Sequence, residues 1–88
     1  ELDVSKTNIA TLAHLPRRLR KLNLLECHHV PAKEFEKLDE SFSHLEELNL
    51  RGTEITKLVN LPKSLKKLDL SYCFSLPAKE FEKLDESF

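Results

Sequence analysis

The stretch Leu19-Arg20-Lys21-Leu22-Asn23-Leu24-Leu25-Glu26-Cys27 carries the pattern on which the fold depends. Its spacing, with Leu at the first, fourth and sixth positions and Cys at the ninth, returns at Leu45–Thr53 and at Leu65–Cys73. Apolar and polar residues alternate at period two within each copy, which predicts a strand with one buried face. The apolar run is too short for a helix, so each copy predicts one short β-strand.

The repetition extends beyond this motif. Residues 1–42 align without gaps on residues 47–88, with 24 of 42 positions identical, and residues 31–42 recur unchanged as 77–88. A fixed period of this size is typical of repeat architectures. The chain is therefore predicted to contain two copies of a 46-residue unit, the second lacking its last four residues.

Each unit contains two strand segments, so the chain contains four, at spacings of 20, 26 and 20 residues. They are Leu2-Asp3-Val4, Leu22-Asn23-Leu24, Leu48-Asn49-Leu50 and Leu68-Asp69-Leu70. The connections of about 15 to 21 residues exceed a hairpin loop, so successive strands are predicted to be parallel. Repeated in this way, the chain is expected to form a right-handed coil of α/β class with a four-stranded parallel sheet on one face.

The three full motifs match the leucine-rich repeat signature, so the chain resembles leucine-rich repeat proteins over essentially its whole length. The resemblance implies a solenoid that binds partners through its sheet. Through Leu15-Pro16 and Leu61-Pro62, the short repeats resemble those of bacterial type III effectors, although Thr7 and Thr53 stand where Asn is usual. The alternation of Thr and Cys at the ninth position also resembles plant immune-receptor and trypanosomatid repeats. The subfamily stays open.

Each strand with the chain that follows it forms one predicted rung. The rungs cover about residues 1–19, 20–45, 46–65 and 66–88. In the long rungs, Phe35, Leu38 and Phe42 form one stripe, which predicts a helix over about 32–42 and a copy over about 78–88. The short rungs lack this stripe, and their Leu-Pro pairs predict extended returns. Helices are wider than extended chain, so the alternation of 20-residue and 26-residue rungs is expected to place the sheet on a concave side.

The residues between the buried leucines are predicted to form the outer face of the sheet. Charges alternate in sign along its first row, which is Glu1, Lys21, Glu47 and Lys67. In one interpretation these charges serve solubility and register. In the other the face binds a protein, with Leu25, Arg51 and Tyr72 as anchors, because aromatic residues and Arg dominate interface energetics. The predicted partner-binding residues are Lys21, Asn23, Leu25, Glu47, Asn49, Arg51, Lys67, Asp69, Ser71 and Tyr72.

Residues that could carry chemistry are few. Cys27-His28-His29 suggests a metal site, but Cys73 in the second unit is followed by Phe74, and zinc needs about four ligands. Both cysteines are predicted to be buried, about 9.6 Å apart and thus beyond bridging distance. The helix carboxylates are expected to be solvated on an exposed face. These are Glu34, Glu36, Asp39 and Glu40. No catalytic residue, metal or cofactor is predicted.

The composition excludes several classes of protein. Fourteen basic and 15 acidic residues nearly cancel, which argues against a dedicated nucleic-acid binder. No apolar run could span a membrane, and the residues Glu1-Leu2-Asp3-Val4 lack the basic and apolar regions expected of a signal peptide. A single glycine excludes a glycine-rich phosphate loop. The two cysteines favour a reducing, cytoplasmic compartment, of the source cell or of a host. The basic run over residues 17–21, echoed by Lys63, Lys66 and Lys67, is expected to make one edge of the sheet positive.

These observations predict a non-enzymatic module that recognises another protein through the concave sheet. One alternative is the substrate-recognition segment of a larger enzyme of the ubiquitin-ligase type. Another is an engineered or recently duplicated repeat scaffold without a natural ligand. Neither end of the sequence supplies a polar capping rung, which predicts a fragment of a longer array that self-associates end to end.

Overall fold

A computed structural model of the protein describes residues 1–83. It contains four β-strands, which are β1 (Leu2–Asp3), β2 (Lys21–Asn23), β3 (Glu47–Asn49) and β4 (Lys67–Asp69). The strands are all parallel and form one sheet in the order β1-β2-β3-β4. Helical segments follow β2 and β4. The fold is therefore α/β with a four-stranded parallel sheet, as predicted.

The register of the sheet is the one that the sequence repeat predicts. Leu22 pairs with Leu48, and Leu48 pairs with Leu68. The strands β2, β3 and β4 begin one residue before the first leucine of the predicted segments and end one residue before the second. Because residues 46 positions apart occupy equivalent places, the two sequence units are also two structural units.

The hydrophobic core lies on the side of the sheet that receives the alternate leucines. Leu24 and Leu50 are fully buried, and the leucines paired within β2 and β3 are 2% exposed. Leu12, Ile55 and Leu58 from the segments after β1 and β3 belong to the same core. The corresponding residues of β1 and β4 are half-buried and pack against it. The alternation thus predicted the buried face of every strand.

The helical segment after β2 differs in type from the predicted α-helix. Residues Ala32–Lys37 form a 3₁₀ helix, and only Leu38–Ser41 (α1) are α-helical. Ala32, Phe35 and Leu38 are spaced by three, which suits three residues per turn, and the step of four to Phe42 suits the α-turn that follows. The predicted stripe is nevertheless buried, with at most 1% exposure.

The second copy of this helix begins in the same way, with a 3₁₀ helix over Ala78–Lys83. The remainder of the predicted copy, residues 84–88, lies outside the described residues. The segments after β1 and β3 contain no helix between residues 4–20 and 50–66, in agreement with the predicted extended returns. No helix within residues 1–83 is both long enough and apolar enough to cross a membrane.

One carboxylate on the 3₁₀ helix is a structural link rather than a solvated group. Glu34 Oε1 accepts hydrogen bonds from the backbone N–H of Leu12 and the hydroxyl of Thr11, both at 2.9 Å. The second unit repeats the contact, where Glu80 Oε1 accepts the N–H of Leu58 at 2.9 Å. The expectation that Glu34 is solvated is therefore wrong. The carboxylate accepts a hydrogen bond from a backbone N–H of the preceding return. That return contains no helix in which the N–H could find a backbone acceptor.

Acid is expected to weaken the fold through this link. The N–H of Leu12 and the hydroxyl of Thr11 lower the pKa of Glu34 below its ordinary value of 4.5, against a smaller opposing effect of burial. A carboxyl with a lowered pKa in the folded state contributes stability above its unfolded value and loses it as the pH falls through its folded value. Urea unfolding at pH 7 and pH 3 should show a smaller acid-induced loss for Glu34→Gln than for wild type. Equal losses would contradict the prediction, and Glu40→Gln is the control.

The ninth position of each motif forms a ladder of Thr and Cys. The hydroxyl of Thr7 donates to the carbonyl of Val4 at 2.7 Å, and the thiol of Cys27 donates to the same carbonyl at 3.2 Å. In the second unit, Thr53 and Cys73 share the carbonyl of Leu50, at 2.8 and 3.0 Å. Both cysteines are free and buried. Each Thr–Cys pair therefore joins the two strands of one unit through a single acceptor.

The joint between the units uses two residues that the first unit lacks. The Asn60 amide donates to the carbonyl of Glu36 at 2.9 Å, and the Ser64 hydroxyl donates to the carbonyl of Leu45 at 2.6 Å. The equivalent positions of the first unit are His14 and Arg18. The two copies thus differ at positions where the second unit contacts the first.

Candidate binding surface on the outer face of the sheet

The structure places all ten predicted partner-binding residues outside the core, each exposed or half-buried. Six of them line a groove of about 350 Å³ that crosses the four strands. These are Lys21, Asn23, Glu47, Asn49, Lys67 and Asp69. The pairing of Lys21 with Glu47 and of Glu47 with Lys67 confirms the predicted first row. One ion pair forms in this row, between Lys21 Nζ and Glu47 Oε2 at 3.5 Å.

The second row of the groove holds the turns at the carboxyl ends of the strands. In each of Asp3, Asn23, Asn49 and Asp69, the side-chain Oδ1 accepts the backbone N–H two residues later, at 2.9 to 3.0 Å. In these Asx turns each side chain accepts a hydrogen bond from the nearby backbone, which competes with longer-range contacts of the same side chain. Asn23, Asn49 and Asp69 therefore shape the surface, and their Oδ1 atoms are already engaged.

The two aspartates of this row are stabilised as carboxylates. The hydroxyl and the N–H of Ser5 lower the pKa of Asp3. The N–H of Ser71, followed by its hydroxyl and the nearby guanidinium of Arg51, lowers the pKa of Asp69. Both groups carry negative charge at neutral pH, so Asp69 contributes a fixed charge beside Arg51.

Every strand is followed by one residue in the left-handed backbone region. These residues are Lys6, Glu26, Gly52 and Tyr72, with φ between 54° and 71°. For residues other than glycine this conformation costs roughly 1–2 kcal/mol. Gly52 also packs closely, because a Cβ there would lie 3.2 Å from Cγ of Glu26. The ring of Tyr72 therefore stands at a position where the backbone alone favours glycine.

Three side chains meet on the surface at the carboxyl end of β4. The Arg51 guanidinium carbon lies 4.6 Å from the centroid of the Tyr72 ring, and the Phe74 ring meets Tyr72 edge to face at 5.9 Å. Tyr72 is 59% exposed and Phe74 is 89% exposed. Cation–π and aromatic pairs of this kind are stabilising, and both rings remain open to a partner. The structure thus brings together two of the three predicted anchors, Arg51 and Tyr72.

The third predicted anchor, Leu25, is half-buried and lies outside this cluster. Its carbonyl accepts the N–H of Lys6 at 2.8 Å, as the carbonyl of Arg51 accepts the N–H of Glu26. These bonds continue the parallel pairing past the strands and stack the turns. Leu25 therefore belongs mainly to the framework that positions Arg51.

The Tyr72 cluster forms one wall of a cavity of about 420 Å³, here called the Tyr72 pocket. Glu26, His28 and Glu54 also line it. His28 Nδ1 lies 3.6 Å from Glu54 Oε2, which places an imidazole beside a carboxylate on the rim. The pocket has exposed rings at one side and charged groups around it. That arrangement matches the apolar centre and polar rim of protein interfaces.

Phe74, His28 and Glu54 were not among the predicted partner-binding residues. Phe74 and His28 stand at equivalent positions, directly after the buried ninth residue of the motif. Both lie past the turn that ends the strand, where the alternation of period two no longer applies, so the strand pattern gave no signal for them. In residues 1–83, no group of three or more His, Cys, Asp or Glu side chains is placed to hold a metal ion.

Comparisons with known proteins give no match. No family model matches the chain. No curated protein and no solved structure matches it either. A function for this surface is accordingly argued from its own residues and geometry.

Proposed function

We propose that the protein is a leucine-rich repeat module whose outer sheet face binds another protein, with the Tyr72 pocket at the centre of the contact. The repeat architecture is supported by strands that pair in sequence order and in one register. A right-handed coil is the hand that parallel connections favour. The groove of about 350 Å³ supports a concave sheet face. The role is recognition rather than catalysis, and the two free thiols suit a reducing, cytoplasmic compartment.

The observation that carries the proposal is the exposure of Tyr72 and Phe74 beside Arg51. Two aromatic rings in contact with each other are 59% and 89% exposed. Tyr and Arg are the residue types that most often dominate binding energy, in pockets that a partner desolvates.

The chemistry of the pocket supports an apolar side chain of a partner protein as its occupant. The rings offer an apolar wall, and Glu26, Glu54 and Arg51 supply a polar rim with both signs of charge. An apolar side chain gains contact with both rings without displacing the stacked guanidinium. The groove across the strands is a separate cavity, lined by residues that precede those of the pocket along β2, β3 and β4, and the backbone of the same segment is expected to lie in it.

Selection from a displayed peptide library against the purified protein tests the proposal. Enriched peptides are expected to share one apolar position, and synthetic copies should bind one to one. Tyr72→Ala should weaken their binding at least tenfold, about 1.4 kcal/mol, while the melting temperature stays within the error of the control. Arg51→Ala should act in the same direction.

His14→Ala is the matched control, because it truncates an exposed ring that does not line the pocket. Its effect on affinity is expected to stay below twofold. Peptides that bind wild type and Tyr72→Ala equally would overturn the proposal. A parallel loss of stability in Tyr72→Ala would instead make the ring a packing residue. End-to-end self-association stays a separate prediction, tested by the sedimentation of the protein over a range of concentrations.

A further inference from the structure

A second surface lies at the amino ends of the strands, whereas the Tyr72 pocket lies at their carboxyl ends. The chain enters β2, β3 and β4 through residues 17–21, 43–47 and 63–67, which together form the basic edge. Residues 17–21 and 63–67 contain seven Lys and Arg, all exposed, while residues 43–47 contain two Glu. Seven cations against two carboxylates leave an excess of five positive charges. The chain as a whole has a net charge of −1, so this edge is strongly asymmetric.

Backbone and side-chain hydrogen bonds hold the three segments of the basic edge together. The N–H of Glu46 donates to the carbonyl of Arg20 at 2.8 Å, and the N–H of Lys66 donates to the carbonyl of Glu46 at 2.7 Å. The segments are thus neighbours at about the 4.8 Å spacing of strands. The cations of the two outer segments therefore form two columns about 9.6 Å apart.

The middle segment neutralises only part of this charge. Lys21 pairs with Glu47 at 3.5 Å and Lys66 pairs with Glu46 at 3.8 Å. Exposed pairs of this kind contribute little to stability. A concentration of one sign of charge instead favours association with a partner of the opposite sign and speeds its encounter.

We infer that the basic edge binds an acidic, extended segment of a partner protein, with carboxylates about three residues apart. In an extended segment of polyproline II conformation, which has three residues per turn, side chains three residues apart point to the same side and are separated by about 9.3 Å, which matches the two columns of cations. The bound segment crosses the middle column between its carboxylates, so Glu46 and Glu47 face its uncharged residues. The basic edge shares Lys21, Glu47 and Lys67 with the groove across the strands but no residue with the Tyr72 pocket, and it does not depend on that pocket.

The same geometry argues against a nucleic acid. A phosphate backbone carries negative charge at every nucleotide, so its charges would pass directly over Glu46 and Glu47, whose side chains are each 37% exposed. Single-stranded nucleic acids also bind through bases stacked on aromatic rings. The exposed rings of Tyr72 and Phe74 lie past the carboxyl end of β4, whereas the basic edge lies at its amino end.

The test uses a fluorescein-labelled nonapeptide with glutamate at every third position and serine between, titrated with the protein and followed by fluorescence anisotropy. Binding is expected at 50 mM NaCl and should weaken at least tenfold at 200 mM, because the contacts are exposed and screened by salt. The same peptide with glutamine in place of glutamate should not bind. Equal binding of the two peptides would overturn the inference.

The variant Arg18→Gln/Lys63→Gln removes one cation from each column and should weaken binding of the glutamate peptide at least tenfold. Lys37→Gln removes an exposed cation outside the basic edge and should change it less than twofold. Circular dichroism establishes that both variants are folded. Tyr72→Ala should bind the peptide as wild type does, which separates this inference from the proposed function.

Two further probes test a nucleic acid and a membrane surface as alternative partners. A nine-nucleotide thymidine strand and vesicles containing phosphatidylserine are titrated at the same salt concentration. Tighter binding of either probe than of the glutamate peptide would overturn the inference in favour of a nucleic acid or a membrane surface. If Lys37→Gln weakened binding of the glutamate peptide as much as the double variant does, only the overall charge of the protein would matter. That result would also overturn the inference.

Discussion

Replacing Phe35 by alanine is expected to lower the free energy of unfolding by about 3–5 kcal/mol. The ring is fully buried in the hydrophobic core formed by the described part of the chain. Its removal loses the transfer free energy of the ring and leaves a cavity that the surrounding leucines fill only in part. A domain of this length has a total stability of about 4–13 kcal/mol, so the loss is a large share of it. Urea unfolding at 25 °C measures the difference.

The chain supplies two matched controls for this substitution. Phe74→Ala truncates the same side chain where it is 89% exposed, and should change the stability by less than about 0.5 kcal/mol. Phe81→Ala truncates the equivalent of Phe35 within an identical twelve-residue sequence, where the ring is 41% exposed. Its cost is expected to lie between the other two. A loss below about 1 kcal/mol for Phe35→Ala would contradict the core described above.

Glu34→Ala is expected to cost about 2 kcal/mol, the second largest effect. The carboxylate accepts two hydrogen bonds, and its removal leaves the backbone N–H of Leu12 without that partner in a partly buried setting. An unsatisfied buried donor costs about 1–3 kcal/mol. Glu34→Gln keeps an acceptor oxygen and should recover part of the loss. Thermal and urea unfolding of the three proteins measure the effect.

Glu40→Ala is the control for Glu34→Ala, because it removes an exposed carboxylate from the same helical segment. It should change the stability by less than about 0.5 kcal/mol. If the two alanine variants were equally stable, the link between Glu34 and the preceding return would contribute nothing. Hydrogen exchange at Leu12 gives an independent readout, since its N–H should exchange faster in Glu34→Ala alone.

The sheet could be predicted from the sequence because its information is local and repeated. The leucine alternation defines the buried face, and the 46-residue offset defines the register, so Leu22, Leu48 and Leu68 pair as predicted. The spacing of Phe35 and Leu38 also identified a buried helical stripe. Its 3₁₀ form was missed, although a spacing of three residues carries that signal.

The role of Glu34 could not be predicted from its own helix. Its surroundings in the sequence are charged, which is typical of a solvated face. The partner that decides its burial is a backbone N–H, 22 residues earlier, which has no sequence signature of its own. The sequence pattern of one helix cannot predict a side-chain contact with a backbone atom from a distant part of the chain.

The contacts within the proposed binding surface were predicted in part, for a similar reason. Arg51 and Tyr72 were identified as anchors from their outward positions, but their stacking depends on the left-handed turn at Tyr72. Phe74 and Glu54 lie past that turn, where the period of two no longer applies. The positive edge was predicted correctly, because it needs only the register and the positions of the basic residues.

The shared carbonyls of Val4 and Leu50 have a consequence for how such a chain can grow. Each carbonyl serves a Thr from its own motif and a Cys from the next, so the acceptor and its two donors form a closed set within one unit. Inserting or deleting one strand with its return would place two like donors side by side and break that set. Inserting or deleting two strands together with their returns keeps the set intact. Two strands with their returns are 46 residues long, which is the interval at which the sequence is duplicated.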